Sequence, residues 1–338
     1  MRLEAEMDKK IYFVSSGSYV PKNIMKNDDL KKYIETSDEW IYTRTGIKER
    51  RIADKDEAAS DLAYEASKII LDRAKVFSEE IELIVMATIT PDTCCPSGAN
   101  WLEAKLDAVN AVSFDVTAAC TGFLFALSVA MQYLRTGAFK NALVVASEVM
   151  SRVVNWYDRD TCILWGDGAG GCFLSVEDRF EGAPILKEVF IHTDGKNGQN
   201  LLMPGGGSKT TPISHESVDK KLHYLKMIHA SDSMRVAVRR FSESCFQVME
   251  YFNLKAEDIS LVVPHQANYR IIKNVAKKIN IPLEKFHLTI EKYGNSSSSS
   301  MAIALDEAIG EGRVKKGDNI ILTGFGGGLT WGSALIQW

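Results

Sequence analysis

Along the chain, short runs dense in β-branched and apolar residues alternate with longer stretches whose apolar positions recur at helical spacing. IELIVMATIT (81–90), AVSFDVTAA (111–119), NALVVASEV (141–149) and CFLSV (172–176) predict strands in the first half. ISLVVP (259–264), FHLTI (286–290), NIILTGF (319–325) and SALIQW (333–338) predict strands in the second half. Helical periodicity covers 121–135, 234–252 and 267–279. This alternation predicts an α/β protein with largely buried sheets.

The pattern also repeats. A shift of 178 positions carries Ile81, Leu83 and Val85 onto Ile259, Leu261 and Val263, and Asn141 onto Asn319. The same ungapped shift carries Ala126, Leu127 and Ala130 onto Ala304, Leu305 and Ala308, which predicts a duplicated fold. It bears on YGNSSSSSMAIALDEA (293–308), where five consecutive serines would ordinarily mark a flexible linker. Under the shift Ser298 falls on Cys120, so the serines mirror the strand-to-helix junction TAACTGF. Small hydroxyl residues cap helices and let helix ends approach closely. The run therefore predicts the entrance of a buried helix that faces its counterpart in the other half.

Composition narrows the class. The 338 residues can bury a substantial core, and 46% hydrophobic with 25% charged residues is ordinary for a soluble globular chain. A net charge of −4 argues against general nucleic-acid binding. The longest apolar stretch falls short of a membrane span, and MRLEAEMDKK lacks the apolar core of a signal peptide. Six cysteines are scattered with no CxxC pair, which argues against a disulfide framework or a zinc site and suits a reducing cytoplasm.

Three places carry candidate chemistry. Cys120 in FDVTAACTGFLFAL stands between a strand and a helix, where the positive end of the helix dipole favours a thiolate. A small buried core residue is the plain alternative. His265 in LVVPHQANYRII ends a strand, where catalytic groups gather in α/β sheets. Asn295 precedes the mirrored helix and reads equally as a turn residue. Cys94 and Cys95 have no activating neighbour in the sequence and read as structural. GDGAGG (166–171) fits G-x-G-x-x-G but leads into a strand rather than a helix, so it and GFGGGLTWG (324–332) read as tight turns with exposed N–H groups. Arg270, Lys273, Lys277 and Lys278, with Arg235, Arg239 and Arg240, form a basic cluster fit for an anionic partner, or else a solvated helix face.

DVTAACTGF, VPHQANYRI, YGN and GFGGGLTWGSAL, in this order, resemble β-ketoacyl-acyl carrier protein synthase III, the initiating condensing enzyme of the thiolase-like superfamily. TSDEWIYTRTGIKERR (36–51) and GDGAGG resemble it too, so the likeness spans nearly the whole chain. The resemblance implies a five-layer αβαβα fold of two halves, 1–182 and 183–338, with a Cys120-His265-Asn295 triad. It implies an acyl-CoA primer, malonyl-acyl carrier protein as partner, an oxyanion hole from the N–H groups of Cys120 and Gly327, no metal or cofactor, and a homodimer. Trp40, Arg44, Arg159 and Asn268 would hold CoA, and Gln266, Ala267, Asn268, Tyr269 and Arg270 would meet the carrier protein. Phe123, Phe125 and Phe325 would wall off water. Departures fall at IHASDSM (228–234), at the serine run, and at Cys95, where many members carry an aromatic before Pro-Ser. A small Cys95 implies room for primers longer than acetyl, which Met234 is able to refill. The alternatives are an acyltransferase using another acceptor and a non-catalytic partner subunit. Intact Cys, His and Asn argue against the second.

Overall fold

The structure, a computed structural model, describes residues 9–208, 212–228 and 230–338. Among them nine strands form one sheet: β1 (Tyr12–Tyr19), β2 (Leu83–Ala87), β3 (Val112–Val116), β4 (Asn141–Val149), β5 (Asp167–Ser175), β6 (Ile185–Thr193), β7 (Ile259–Pro264), β8 (Asn319–Gly326) and β9 (Thr330–Gln337). Their order is β7-β8-β9-β6-β1-β5-β4-β2-β3. Outward from the centre, β1-β5-β4-β2 on one side is matched by β6-β9-β8-β7 on the other. Pairing senses match as well: β4 with β2 and β8 with β7 are parallel, and the remaining pairs within each set of four are antiparallel. The two sets touch through one register pair, Tyr12 with Ile185, flanked by N–H bonds from Phe13 to Pro184 and from Leu186 to Ile11.

Seven helices position the site: α1 (Asp38–Thr45), α2 (Ala59–Ala74), α3 (Gly98–Leu106), α4 (Gly122–Arg135), α5 (Ala230–Tyr251), α6 (Tyr269–Ile279) and α7 (Ser299–Gly310). Side chains alternate across a strand, and here each face meets helices. Leu83, Val85, Ala142 and Val144 join Leu261, Val263, Ile320 and Leu322 around α4 and α7 in a central core. Ile84, Met86, Leu143 and Val145 face α2 and α3 instead. Val262, Ile321 and Leu335 face α5 and α6. Strands buried on both sides explain the near-continuous apolar runs, and the layers stack as αβαβα. No helix among the described residues is long and apolar enough to cross a membrane.

Two expectations change. GDGAGG is no turn, because Asp167–Gly171 lies inside β5, buried and paired on both sides. A Cβ at Gly170 would lie 2.9 Å from the Ile303 nitrogen, and one at Gly171 2.2 Å from the Val144 oxygen. Gly170 lets α7 press on the strand, and Gly171 lets β4 pair closely with it. FHLTI makes only an isolated bridge from Phe286 to Val262 and then enters a short helix, Ile290–Tyr293, so among the described residues the second half has no strand to match β3. The pattern also passes over β1, whose YFVSSGSY reads as turn-rich. Its buried serines are satisfied by the Ile70 carbonyl and the Asp306 carboxylate.

Candidate active site

Cys120 sits in a 3-10 turn, Ala119–Thr121, that runs directly into α4. Ala119 adopts a left-handed φ of 46°, and 178 positions on Ser297 does the same at 51°, just before α7. The two helix entrances are thus built alike and meet: a Cβ on Gly122 would stand 3.0 Å from Ser298 Cβ. All five serines of the run are buried. Ser298 is the residue before α7 but makes no side-chain cap, because its hydroxyl donates instead to Glu148 Oε1 at 2.7 Å.

Cys120, His265 and Asn295 line one cavity of about 390 Å³ together with Phe325 and Gly326 to Leu329. The turn between β8 and β9 lies on Cys120, and a Cβ on Gly326 would come within 2.9 Å of the Cys120 nitrogen. GFGGGLTWG is therefore a turn only at its centre and strand on either side. Among the described residues, Phe325 alone of the three expected phenylalanines lines the cavity. Phe123 is in the central core and Phe125 is half-buried. Cys95 is exposed and outside this lining.

The thiol is not a resting thiolate. Burial pushes Cys120 up to about 11, opposed by the Ser297 hydroxyl and raised further by the Glu148 carboxylate, with the Gly327 N–H opposing in turn. Desolvation of a charged sulfur outweighs the helix end here. Burial also holds His265 down to about 3, so the imidazole is neutral. Its Nδ1 is 2.7 Å from Ser300 Oγ, which also accepts the Gln266 N–H. Nδ1 is thereby engaged and Nε2 is the nitrogen left for the cavity. Asn295 Oδ1 accepts the Ser297 N–H at 2.8 Å, which leaves its NH2 as the free donor.

Trp40 is sandwiched between guanidiniums, with Arg44 Cζ at 4.1 Å and Arg159 Cζ at 3.8 Å from the ring centre. Arg44, Asn268 and Arg270 stand along the cavity. Asn268 caps α6 by accepting the Arg270 N–H and donates to the Arg44 carbonyl, so it ties α1 to α6. Gln266 departs from expectation: it is fully buried, and its amide bonds the Pro264 and His287 carbonyls and the Thr289 and Ile290 N–H groups. It holds backbone in place and offers no surface to a partner. Ala267 to Arg270 are the outward part of that segment. Beside them α5 and α6 form a groove lined by Arg235, Arg239, Asn274, Lys277 and Lys278.

Sequence reasoning passed over Ser297, Ser300 and Glu148. The first two were hidden by low complexity, although the 178-residue shift pointed at their neighbourhood. Glu148 carried one signal, a charge inside the apolar run NALVVASEV.

Comparison with known proteins agrees with this geometry. Family models described as 3-oxoacyl-[acyl-carrier-protein] synthase III and its C-terminal part match residues 114–195 and 249–338. The β-ketoacyl-[acyl-carrier-protein] synthase III of Caldanaerobacter subterraneus is 45% identical over 325 residues, covering 96% of this chain and 97% of its own. The crystal structure of the 3-oxoacyl-[acyl-carrier-protein] synthase III from Aquifex aeolicus superposes with a TM-score of 0.88 at 42% identity, over 97% of this chain and all of that one. The priming β-ketosynthase of the R1128 polyketide pathway superposes with a TM-score of 0.87 at 32% identity, over 97% and 96%. With a thiol, a neutral imidazole and a carboxamide in one cavity and relatives matched nearly end to end, the chain belongs to the β-ketoacyl-acyl carrier protein synthase III family.

Proposed function

We propose that this protein condenses an acyl-CoA primer with malonyl-acyl carrier protein, giving a 3-oxoacyl-carrier protein, free CoA and carbon dioxide at the start of fatty-acid synthesis. Cys120 attacks the primer thioester and keeps the acyl group as a covalent intermediate. The N–H groups of Cys120 and Gly327 receive the developing oxyanion. When malonyl-carrier protein enters, His265 Nε2–H and the Asn295 NH2 donate to its thioester oxygen. They stabilise the enolate formed as carbon dioxide departs, and that carbanion attacks the acyl-cysteine.

The observation that carries this reading is the convergence of Cys120, His265 and Asn295 on one cavity. A neutral imidazole suits it, because a donor to an enolate must not surrender a full proton. The Trp40 sandwich supports a CoA nucleotide end held by Trp40, Arg44 and Arg159, with Asn268 toward the pantetheine arm. The outward segment Ala267 to Arg270 and the groove beside it support carrier-protein docking. We further read the halves as dividing near residue 182, the molecule as a cytoplasmic homodimer working without metal or cofactor, and Cys95, reaching from one subunit toward the acyl pocket of the other, as admitting primers beyond acetyl.

The test is intact-mass spectrometry after exposure to acetyl-CoA. Wild type should gain one acyl group, and Cys120→Ala should gain none and lose turnover by several orders of magnitude. An adduct that persists in the variant overturns the assignment.

A further inference from the structure

A carboxylate that the scheme above does not use lies beneath the nucleophile. Glu148, in β4, has no solvent exposure. Its Oε2 accepts the Thr90 hydroxyl at 2.7 Å, the Ile89 N–H at 3.1 Å and the Thr88 hydroxyl at 3.4 Å, and its Oε1 accepts the Ser298 hydroxyl at 2.7 Å. No cation is among these partners. Ser297 Oγ donates to Cys120 Sγ at 3.7 Å, and its hydroxyl also favours the charged form of the Glu148 carboxylate, so it is within reach of both groups. A hydroxyl so placed is able to take a proton from sulfur while passing its own to oxygen.

We propose that Glu148 receives the Cys120 proton through the Ser297 hydroxyl as the nucleophile attacks, stores it during the life of the acyl-enzyme, and returns it afterwards. The proposal rests on the acyl-Cys120 reading above. In the first half-reaction the S–C bond to the acyl carbon forms, the S–H bond breaks, and the proton passes by way of Ser297 to Glu148. The bond from acyl carbon to CoA sulfur then breaks, and the departing CoA thiolate takes a proton from water. In the second half-reaction the carbanion displaces Cys120 as a thiolate, and Glu148 gives its proton back through Ser297. One solvent proton is consumed per cycle, as the overall condensation requires.

Burial favours the neutral acid, so Glu148 is raised above the ordinary carboxylate range and can hold a proton without a partner cation. The other titratable groups nearby are Cys120 itself and Asp167, which lies beside Val149 in the β4–β5 pairing and is held by Ala53 and Ser151. A neutral His265 is left free for its donor role. Glu148 acts through Ser297 and does not touch the substrate, so the readout has to separate proton transfer from packing.

The experiment is single-turnover acylation by acetyl-CoA, read by intact mass from about pH 6 to 10, for wild type, Glu148→Gln and Ser297→Ala. General-base help is worth on the order of 10²–10⁴ in rate. Both variants should therefore acylate at least about a hundredfold slower than wild type near pH 7. Both should recover roughly tenfold per pH unit, because hydroxide must then make the thiolate. Variants at the wild-type rate overturn the proposal, and so does a deficit that stays constant with pH, the mark of displaced packing. A wild type that acquires no acyl mass sinks the condensing reading along with it. A wild type that acylates beside equally fast variants sinks the relay alone.

Discussion

His265 and Asn295 reach the cavity from two different segments, and both are fixed from behind by serines of the run. Ser300 engages His265 Nδ1 and the Ser297 N–H engages Asn295 Oδ1, so Asn295 keeps a free NH2 donor and His265 a free Nε2, which carries the proton in the tautomer where the Ser300 hydroxyl donates to Nδ1. Both donors are assigned to the enolate, which exists only in the second half-reaction. His265→Ala and Asn295→Ala should therefore slow malonyl decarboxylation by roughly 10²–10³ while leaving self-acylation largely intact. Separate assays of carbon dioxide release and acyl transfer check this, and equal losses in both would put the residues in the wrong step. The shared cavity of Cys120, His265 and Asn295 was approachable from the sequence because each sits at an element boundary marked by a change of pattern. Their support was not. Which hydroxyl of five identical residues turns toward which partner depends on the left-handed turn at Ser297, and periodicity carries no trace of a single φ.

Elements carry the partner's side of the chemistry. On α6 the apolar residues Ile272, Val275, Ala276 and Ile279 are buried, so the remaining positions, Lys273, Lys277 and Lys278 among them, face outward beside the cavity mouth. Such a stripe steers an acidic partner and acts mainly on its capture. Lys277→Glu with Lys278→Glu should raise KM for malonyl-carrier protein by about tenfold or more, with little change in KM for acyl-CoA. The wild-type rate with carrier protein should fall as salt rises, through screening of the attraction. An equal rise in both KM values would move carrier-protein docking to another face. Helices α4, α5 and α6 were readable because one face of each is apolar. FHLTI failed as a strand for a reason of context: after the His287 N–H bonds the Val262 carbonyl, the backbone turns to the buried Gln266 amide, which donates to the His287 carbonyl and accepts the Thr289 N–H.

For the whole molecule, the sheet ends on one side in β3, with Val112 exposed and one edge unpaired among the described residues. An unpaired edge in a folded protein calls for a cover, and a second copy in antiparallel register would supply one. Light scattering at micromolar concentration should give a mass near twice 37.5 kDa, and a monomer would count against the homodimer. The duplication was legible as an ungapped shift because core helices and strands tolerate few insertions. The shift, with small residues at both helix entrances, also foretold that the paired entrances would lie against each other. That contact has a redox consequence. Ser297 brings oxygen, not sulfur, to within 3.7 Å of the nucleophile. A cysteine at this position would hold a second sulfur close enough to be oxidised with Cys120 into a disulfide, and the site would close each time the cell met an oxidant. With hydroxyls there, the serine run gives Cys120 no sulfur to bridge to, so an oxidised nucleophile stays a sulfenic acid that an outside thiol can reduce.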